Sequence, residues 1–142
     1  MFPICGNLPG DLLQVKGVDH TLKQHGFARN LPWQLQLLDD QSGVRLSLSS
    51  TDDTLAAYPF VFVVEMEVRP VAMALEISTT IHNRSDQPMP LSFGLHPYFN
   101  VSDLGQTRLT GLAERCLNHL EMADAATDEQ LSRLPEGVDF LC

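Results

Sequence analysis

Residues 60–69 of the chain read FVFVVEMEVR, and residues 71–82, which follow Pro70, read VAMALEISTTIH. The first stretch is wholly apolar at its start and then alternates apolar and polar residues, as a strand does when it leaves a covered region for a half-exposed one. The second stretch becomes rich in β-branched residues towards its end, which favours a strand. Because no helix-length segment separates the two, the sequence predicts antiparallel neighbours, with the first strand ending at Pro70.

The same two-residue period extends outward from this pair. Residues 33–37 (WQLQL) and 44–49 (VRLSLS) alternate strictly and predict two further strands. A turn cluster at 83–88 (NRSDQP) leads into 89–96 (MPLSFGLH), which we expect to be an irregular strand because a proline and a glycine interrupt it.

The pattern weakens after Asn100. Short strands are expected at 107–110 and 138–141, and one helical turn at 128–131 behind Thr127. Since nothing resembles a linker or a repeat, we predict that residues 1–142 form one all-β domain, a mostly antiparallel β-sandwich or barrel.

Composition excludes several classes of protein. Of the 142 residues, 44% are hydrophobic, which is enough for a packed core, and the formal net charge of −9 argues against nucleic-acid and anionic-membrane partners. A phosphorylated small molecule stays possible, because one well-placed arginine can hold a phosphate.

No stretch approaches the roughly 20 apolar residues of a membrane span, and the start lacks a secretory signal. Three unpaired-looking cysteines, Cys5, Cys116 and Cys142, indicate free thiols and a cytoplasmic location.

Residues 23–33, KQHGFARNLPW, look unlike scaffold. His25 is followed by Gly26, which would let the backbone approach a ligand closely, and Arg29 offers a planar fork suited to phosphate or paired hydroxyls. The alternative is an ordinary loop histidine with an arginine tied to a surface carboxylate.

Residues 93–100, FGLHPYFN, are the second such stretch. The proline after His96 favours extended backbone and would present the imidazole at a strand edge, while Tyr98 and Phe99 could form a wall for a sugar face. The alternative is a buried histidine bonded to a carbonyl, with both aromatic residues in the core.

The remaining polar residues carry weaker signals. His20 is expected on an exposed turn, His82 at the surface of a strand end, and His119 has no assigned role. Because no HxH pair exists, no metal site is expected. Turn chemistry explains the aspartate pairs at 39–40 and 52–53, and the methionines at 73 and 89 are expected in the core.

Taken together, HGFARNLPW (25–33) and LHPYFNV (95–101) resemble the aldose 1-epimerase, or galactose mutarotase-like, superfamily, closest to its hexose-6-phosphate mutarotase branch. The segments FPICGNLP (2–9) and DTLAAYPF (53–60) are similar to stretches of that branch, so the resemblance covers most of residues 2–101. It implies a large antiparallel β-sandwich, incomplete in this chain, whose concave face binds the sugar.

The resemblance also implies a reaction without metal or cofactor, in which the α and β anomers of a hexose or hexose 6-phosphate interconvert by ring opening. His96 matches the family's general acid and His25 the histidine that contacts sugar oxygens. Arg29 matches an arginine near phosphate or hydroxyls, and Gly26 and Tyr98 are assigned to substrate binding.

The family's base is a glutamate near the C-terminus of much longer chains, and the glutamates here lie outside such a motif: Glu114, Glu121, Glu129 and Glu136. We therefore expect impaired turnover. The alternatives are a sugar-binding module without turnover and a structural β domain. Open strand edges in an incomplete sandwich predict a homo-oligomer.

Overall fold

A four-stranded antiparallel sheet in the order β3-β4-β5-β6 is the largest element of the computed structural model. The structure describes residues 1–118, 121, 123–132 and 140–141, and the chain divides into two compact units, Met1–His96 and Pro97–Cys142. The first unit contains β1 (Leu12–Val15), β2 (Val18–Thr21), β3 (Gln34–Leu37), β4 (Val44–Ser49), α1 (Asp52–Ala57), β5 (Phe62–Val71) and β6 (Ala74–Asn83). The second contains β7 (Arg115–Asn118), β8 (Ala123–Ala126), α2 (Thr127–Ser132) and β9 (Phe140–Leu141), with strand order β8-β7-β9.

The prediction of a mostly antiparallel β fold is confirmed, and β3 to β6 lie where the alternating pattern indicates. One boundary was wrong: β5 continues through Pro70 to Val71, and the chain turns at Ala72 and Met73. Pairing between β4 and β5 stops at Val68. Pro70 therefore has a neighbouring strand on one side only, where a residue without an N–H is tolerated.

Two elements near the start of the first unit were missed. The β1–β2 hairpin places His20 in a strand, where its Nδ1 lies 2.9 Å from the carbonyl oxygen of Ala56, so the expected exposed turn at His20 was wrong. The aspartate pair at 52–53 opens α1 rather than forming a turn. Thr51 caps this helix, because its hydroxyl accepts a bond from the Thr54 N–H while the Thr54 hydroxyl oxygen accepts one from the Thr51 N–H.

Two predicted strands are absent from the described residues. Residues 89–96 form no strand, because their backbone bonds to the start of the chain instead of joining the sheet: the Ser92 N–H donates to the Pro3 carbonyl and the Gly94 N–H to the Met1 carbonyl. Residues 107–110 follow a short 3-10 turn, Leu104–Gln106, and are irregular.

The later short elements agree better with the sequence. The helical turn predicted behind Thr127 is present as α2, and β9 covers the last part of the strand predicted at 138–141, of which residues 138 and 139 lie outside the described residues. Within the described residues, no helix has the length and apolar character needed to cross a membrane.

One face of the four-stranded sheet is largely apolar, but only part of it is covered. At what we call the covered end, Phe62 and Val64 are 0% exposed beneath an aromatic cluster that includes Phe2 and Tyr58. At what we call the open end, the strand pairing places four exposed residues on the same face: Leu35, Leu37, Leu75 and Ile77. Among the residues that the structure describes, this face of the sheet is therefore covered at one end only.

The opposite face of the sheet carries ion pairs. Arg45 and Arg69 both bond Glu67, and hydrogen bonding from Arg45 holds the pKa of the Glu67 carboxyl below its usual range. His82 lies 3.0 Å from a Glu65 oxygen at the strand end, as its surface assignment anticipated. Met73, expected in the core, is instead fully exposed in the β5–β6 turn.

Candidate functional site

His25 lies in a tight loop whose backbone is held by the first residues of the chain. His25 has φ 63° and Gly26 has φ 67°, so two successive residues adopt the left-handed region. The His25 N–H donates to the Gly6 carbonyl over 2.9 Å, and the Phe2 N–H donates to the His25 carbonyl over 3.3 Å. The half-buried imidazole accepts a further bond at Nδ1 from the Gly6 N–H, over 3.0 Å.

Gly26 has a structural reason to be glycine. A Cβ at this position would lie 2.2 Å from the carbonyl oxygen of Phe2, much closer than real Cβ contacts. That oxygen also accepts bonds from the N–H groups of Phe27 and Ala28. Gly26 thus permits the close approach of the backbone at Phe2. A contact between Gly26 and a substrate stays a prediction.

His96 lies at the end of residues 89–96, whose backbone bonds to Met1 and Pro3. Besides the two backbone bonds described above, the Cys5 N–H donates to the Ser92 hydroxyl over 2.7 Å. The imidazole of His96 is exposed, so the alternative of a buried structural histidine is wrong. Its ring centroid lies 6.5 Å from that of His25, with the two planes at 71°.

The segment Met1–Gly6 therefore bonds both to the loop of His25 and to the segment of His96. Sequence reasoning assigned no role to Gly6 or Ser92. The one signal that pointed to them was the resemblance of residues 2–9 to the hexose-6-phosphate mutarotase branch.

Arg29 lies four residues after His25, in the 3-10 turn Ala28–Asn30. The Trp33 indole N–H fixes this turn by donating to the Ala28 carbonyl over 2.8 Å. The ion pairs among the described residues are formed by other cations, so the alternative of an arginine tied to a surface carboxylate is wrong. Arg29 borders an otherwise apolar cavity of about 330 Å³ lined by Met1, Phe2, Ala28, Trp33, Leu46, Met66, Phe93 and Leu95.

Tyr98 belongs to the second unit and is 91% exposed, as Phe99 largely is, so the alternative that placed both in the core is wrong. The two line a separate cavity of about 690 Å³ within that unit, which Arg108 also borders. The structure thus brings the rings of His25 and His96 together in the first unit and places Arg29 at a cavity of that unit, while Tyr98 lies in the second unit.

Metal chemistry has no obvious ligands in the described part of the chain. No group of three or more histidine, cysteine or acidic side chains is placed to hold an ion there. Cys5 and Cys116 are free thiols, while Cys142 and His119 lie outside the described residues. What the first unit offers instead is two neighbouring imidazoles and a guanidinium suited to an anion.

Comparison with known proteins identifies the family of the chain. The sequence model of the family Aldose 1-epimerase matches residues 4–134. A protein of Salmonella typhimurium described as "Putative glucose-6-phosphate 1-epimerase" is 30% identical over 141 residues, which cover 96% of this chain and 45% of that protein. The chain spans less than half the length of the curated relatives it matches.

Solved structures agree in fold. A crystal structure of a Synechocystis protein is 39% identical, with a TM-score of 0.80, and the match covers 91% of this chain and 45% of that one. A galactose mutarotase related enzyme of Lactobacillus acidophilus is 31% identical, with a TM-score of 0.59, over 63% of this chain and 29% of that one. The sheets, the two motifs and these matches together show that the chain belongs to the aldose 1-epimerase family.

Proposed function

We propose that this chain binds a hexose or hexose 6-phosphate and supplies acid–base groups for the interconversion of its α and β anomers. The observation that carries the proposal is the juxtaposition of His25 and His96, which are distant in sequence but have ring centroids 6.5 Å apart. The name of the Salmonella relative, "Putative glucose-6-phosphate 1-epimerase", supports a phosphorylated substrate.

The reaction needs two proton transfers on opposite sides of the sugar. A base takes the proton from the anomeric hydroxyl while an acid protonates the ring oxygen, so that the C1–O5 bond breaks and the free aldehyde forms. Rotation about C1–C2 and reclosure give the other anomer. We assign the protonation of the ring oxygen to His96 and a hydrogen bond to a sugar oxygen to His25.

Substrate binding is assigned to Arg29, Gly26 and Tyr98. Arg29 supports a phosphate contact because the residue borders a cavity and forms no ion pair among the described residues. The exposed ring of Tyr98 is suited to stacking on a sugar face. The net charge of −9 makes a small sugar a better partner than a nucleic acid or an anionic membrane, and the free thiols support a cytoplasmic location.

None of the glutamates in the described residues matches the family's base. Loss of one acid–base partner slows a reaction by roughly 10²–10⁴-fold. We therefore expect this chain alone to accelerate anomer exchange weakly in comparison with a family member that carries the base. Sugar binding without turnover is the second candidate function.

Exchange spectroscopy by NMR on glucose 6-phosphate, with and without the full chain, tests the proposal. Exchange faster than the buffer blank supports the enzyme, whereas ligand-induced shifts at the blank rate support binding without turnover. Absence of both overturns the proposal. His96→Ala should remove most of any acceleration. His82→Ala, beside Glu65 on the polar face of the sheet, is the control and should not. Unchanged exchange in His96→Ala would contradict the assignment of His96 as the acid.

The phosphate contact has its own test. Arg29→Ala should weaken glucose 6-phosphate more than glucose, and the exposed Arg84→Ala should weaken neither. Equal losses for the phosphorylated and the neutral sugar in Arg29→Ala would remove the phosphate role.

We also propose that a second copy of the chain packs against the open end of the sheet. Four exposed apolar residues on one sheet face, with β3 and β6 as unpaired edges among the described strands, favour association. Sedimentation velocity over a range of concentrations should show a dimer or larger species, and a monomer at every concentration would overturn this.

A further inference from the structure

We propose that Gly6 is a positioning residue for His25 and that it fixes the tautomer of the neutral imidazole, with the hydrogen on Nε2. Two hydrogen bonds join the residues. The Gly6 carbonyl accepts from the His25 N–H over 2.9 Å, and the Gly6 N–H donates to the His25 Nδ1 over 3.0 Å. One glycine therefore fixes both the backbone and the ring of the histidine.

The second bond decides the tautomer. A neutral imidazole has one N–H and one acceptor nitrogen, and which nitrogen carries the hydrogen is set by the bond that the other makes. A backbone N–H can only donate, so Nδ1 of His25 has to accept. The hydrogen of the neutral ring is then on Nε2, and His25 presents a donor from that nitrogen.

An Nε2–H donor is suited to stabilising charge on a sugar oxygen, and it is not suited to acting as the base. An Nε2–H can bond a sugar oxygen and stabilise negative charge that develops on it, whereas it cannot take up a proton there. Gly6 thus assigns His25 to charge stabilisation. This step rests on the proposed function, but the tautomer does not.

The position of Gly6 is itself tightly determined. Gly6 is buried and has φ 81°, a conformation that side chains rarely adopt. Phe2, four residues earlier, is 1% exposed, and its carbonyl accepts bonds from the N–H groups of Phe27 and Ala28. Because the segment is anchored at Phe2 and again at Gly6, the Gly6 N–H cannot drift away from the imidazole.

Nitrogen-15 NMR of the histidine side chains at about pH 8, where an ordinary histidine is neutral, tests the tautomer. In the unaltered chain, His25 should show a pyridine-like Nδ1 and a pyrrole-like Nε2. Gly6→Ala should move both shifts towards a mixture of tautomers. Gly17→Ala is the matched control, since Gly17 also has φ 81° but its Cβ would meet open space in the β1–β2 turn. A pyrrole-like Nδ1 in the unaltered chain overturns the proposal.

Two substitutions of His25 separate its binding role from its structural role. Asparagine places an acceptor near the position of Nδ1 and tolerates the left-handed backbone of His25, while glutamine places a donor near the position of Nε2. In urea unfolding, His25→Asn should therefore be the more stable of the two. In titration with glucose 6-phosphate, His25→Gln should bind about two- to tenfold more tightly than His25→Asn, the usual effect of one hydrogen bond.

The expected result is that the two variants rank in opposite order, with His25→Asn the more stable and His25→Gln the tighter binder. If asparagine ranks first in both measurements, His25 has a structural role only and the donor assignment is wrong. If the unaltered chain binds neither glucose 6-phosphate nor glucose, the proposed function fails, while the nitrogen-15 shifts still decide whether Gly6 sets the tautomer.

Discussion

The covered and open ends of the four-stranded sheet present the same kind of residue on the same face, yet their environments are opposite. Phe62 and Val64 are 0% exposed, whereas Leu35 and Leu37 are 65% and 64% exposed. The difference comes from segments outside the sheet, because Phe2 and Tyr58 pack on the first pair and no described segment covers the second. Alternation in a strand decides which face is apolar, and distant parts of the chain decide whether that face is buried.

Phe62→Ala should cause the largest loss of stability. Phe62 contacts three other rings of the aromatic cluster, with centroids 5.0 to 6.3 Å away. Truncation leaves a cavity and should lower the free energy of unfolding by about 3–5 kcal/mol. Leu35→Ala at the open end is the control and should change it by about 0.5 kcal/mol or less. Similar losses in urea unfolding of the two variants would show that the ends do not differ energetically.

Gly26→Ala tests whether the start of the chain covers the sheet as described. The new Cβ would meet the Phe2 carbonyl, and the backbone conformation is itself unfavourable for alanine, so a loss of about 2–4 kcal/mol is expected. Gly17→Ala has a similar φ but open space and should cost about 1 kcal/mol. Equal unfolding midpoints would mean that Phe2 does not depend on the glycine.

These contrasts show what the sequence could and could not predict. Alternation located β3 to β6 because apolar and polar residues alternate visibly in and around each of these strands, and the spacing of β5 and β6 implied their pairing. The β1–β2 hairpin was missed because its strands, LLQV and VDHT, do not alternate apolar and polar residues as QLQL in β3 does. Residues 89–96 were misassigned because Pro3 and Met1, rather than a neighbouring strand, accept their backbone bonds.

The candidate site also has parts that the sequence predicts and parts that it does not. His25, His96 and Arg29 were predicted from motifs of side chains, which a sequence displays directly. The bonds from Gly6 were not found, because they involve a backbone N–H that every residue except proline carries. A glycine with positive φ leaves only a weak trace in a sequence, and its partner here lies nineteen positions away.

The covered end also predicts a response to alkaline pH. Burial raises the pKa of the Tyr58 phenol above its ordinary value, and its hydroxyl donates to the Pro90 carbonyl over 2.7 Å. Because the folded pKa exceeds the unfolded value of about 10, the stabilisation is complete below about pH 10 and is lost as the pH rises further.

Tyr58→Phe isolates this contribution from other groups that titrate in the same range. It should cost about 1 kcal/mol near neutral pH, through loss of the hydrogen bond. Its free energy of unfolding should then fall less steeply than that of the unaltered chain above about pH 10. Parallel curves from urea unfolding would show that Tyr58 does not govern the alkaline limit.

The smallest effect on folding, and the sharpest on assembly, is expected at the open end. Leu35→Thr with Ile77→Thr keeps two residues that favour strands but replaces exposed apolar atoms with hydroxyls, so the free energy of unfolding should change by about 1 kcal/mol or less. If copies associate through this face, the double variant should sediment more slowly than the unaltered chain at equal concentration. Ser78→Thr, on the polar face of β6, should leave sedimentation unchanged. Unaltered sedimentation of the double variant would place the contact elsewhere, and exposed leucine at the open end would then have no part in assembly.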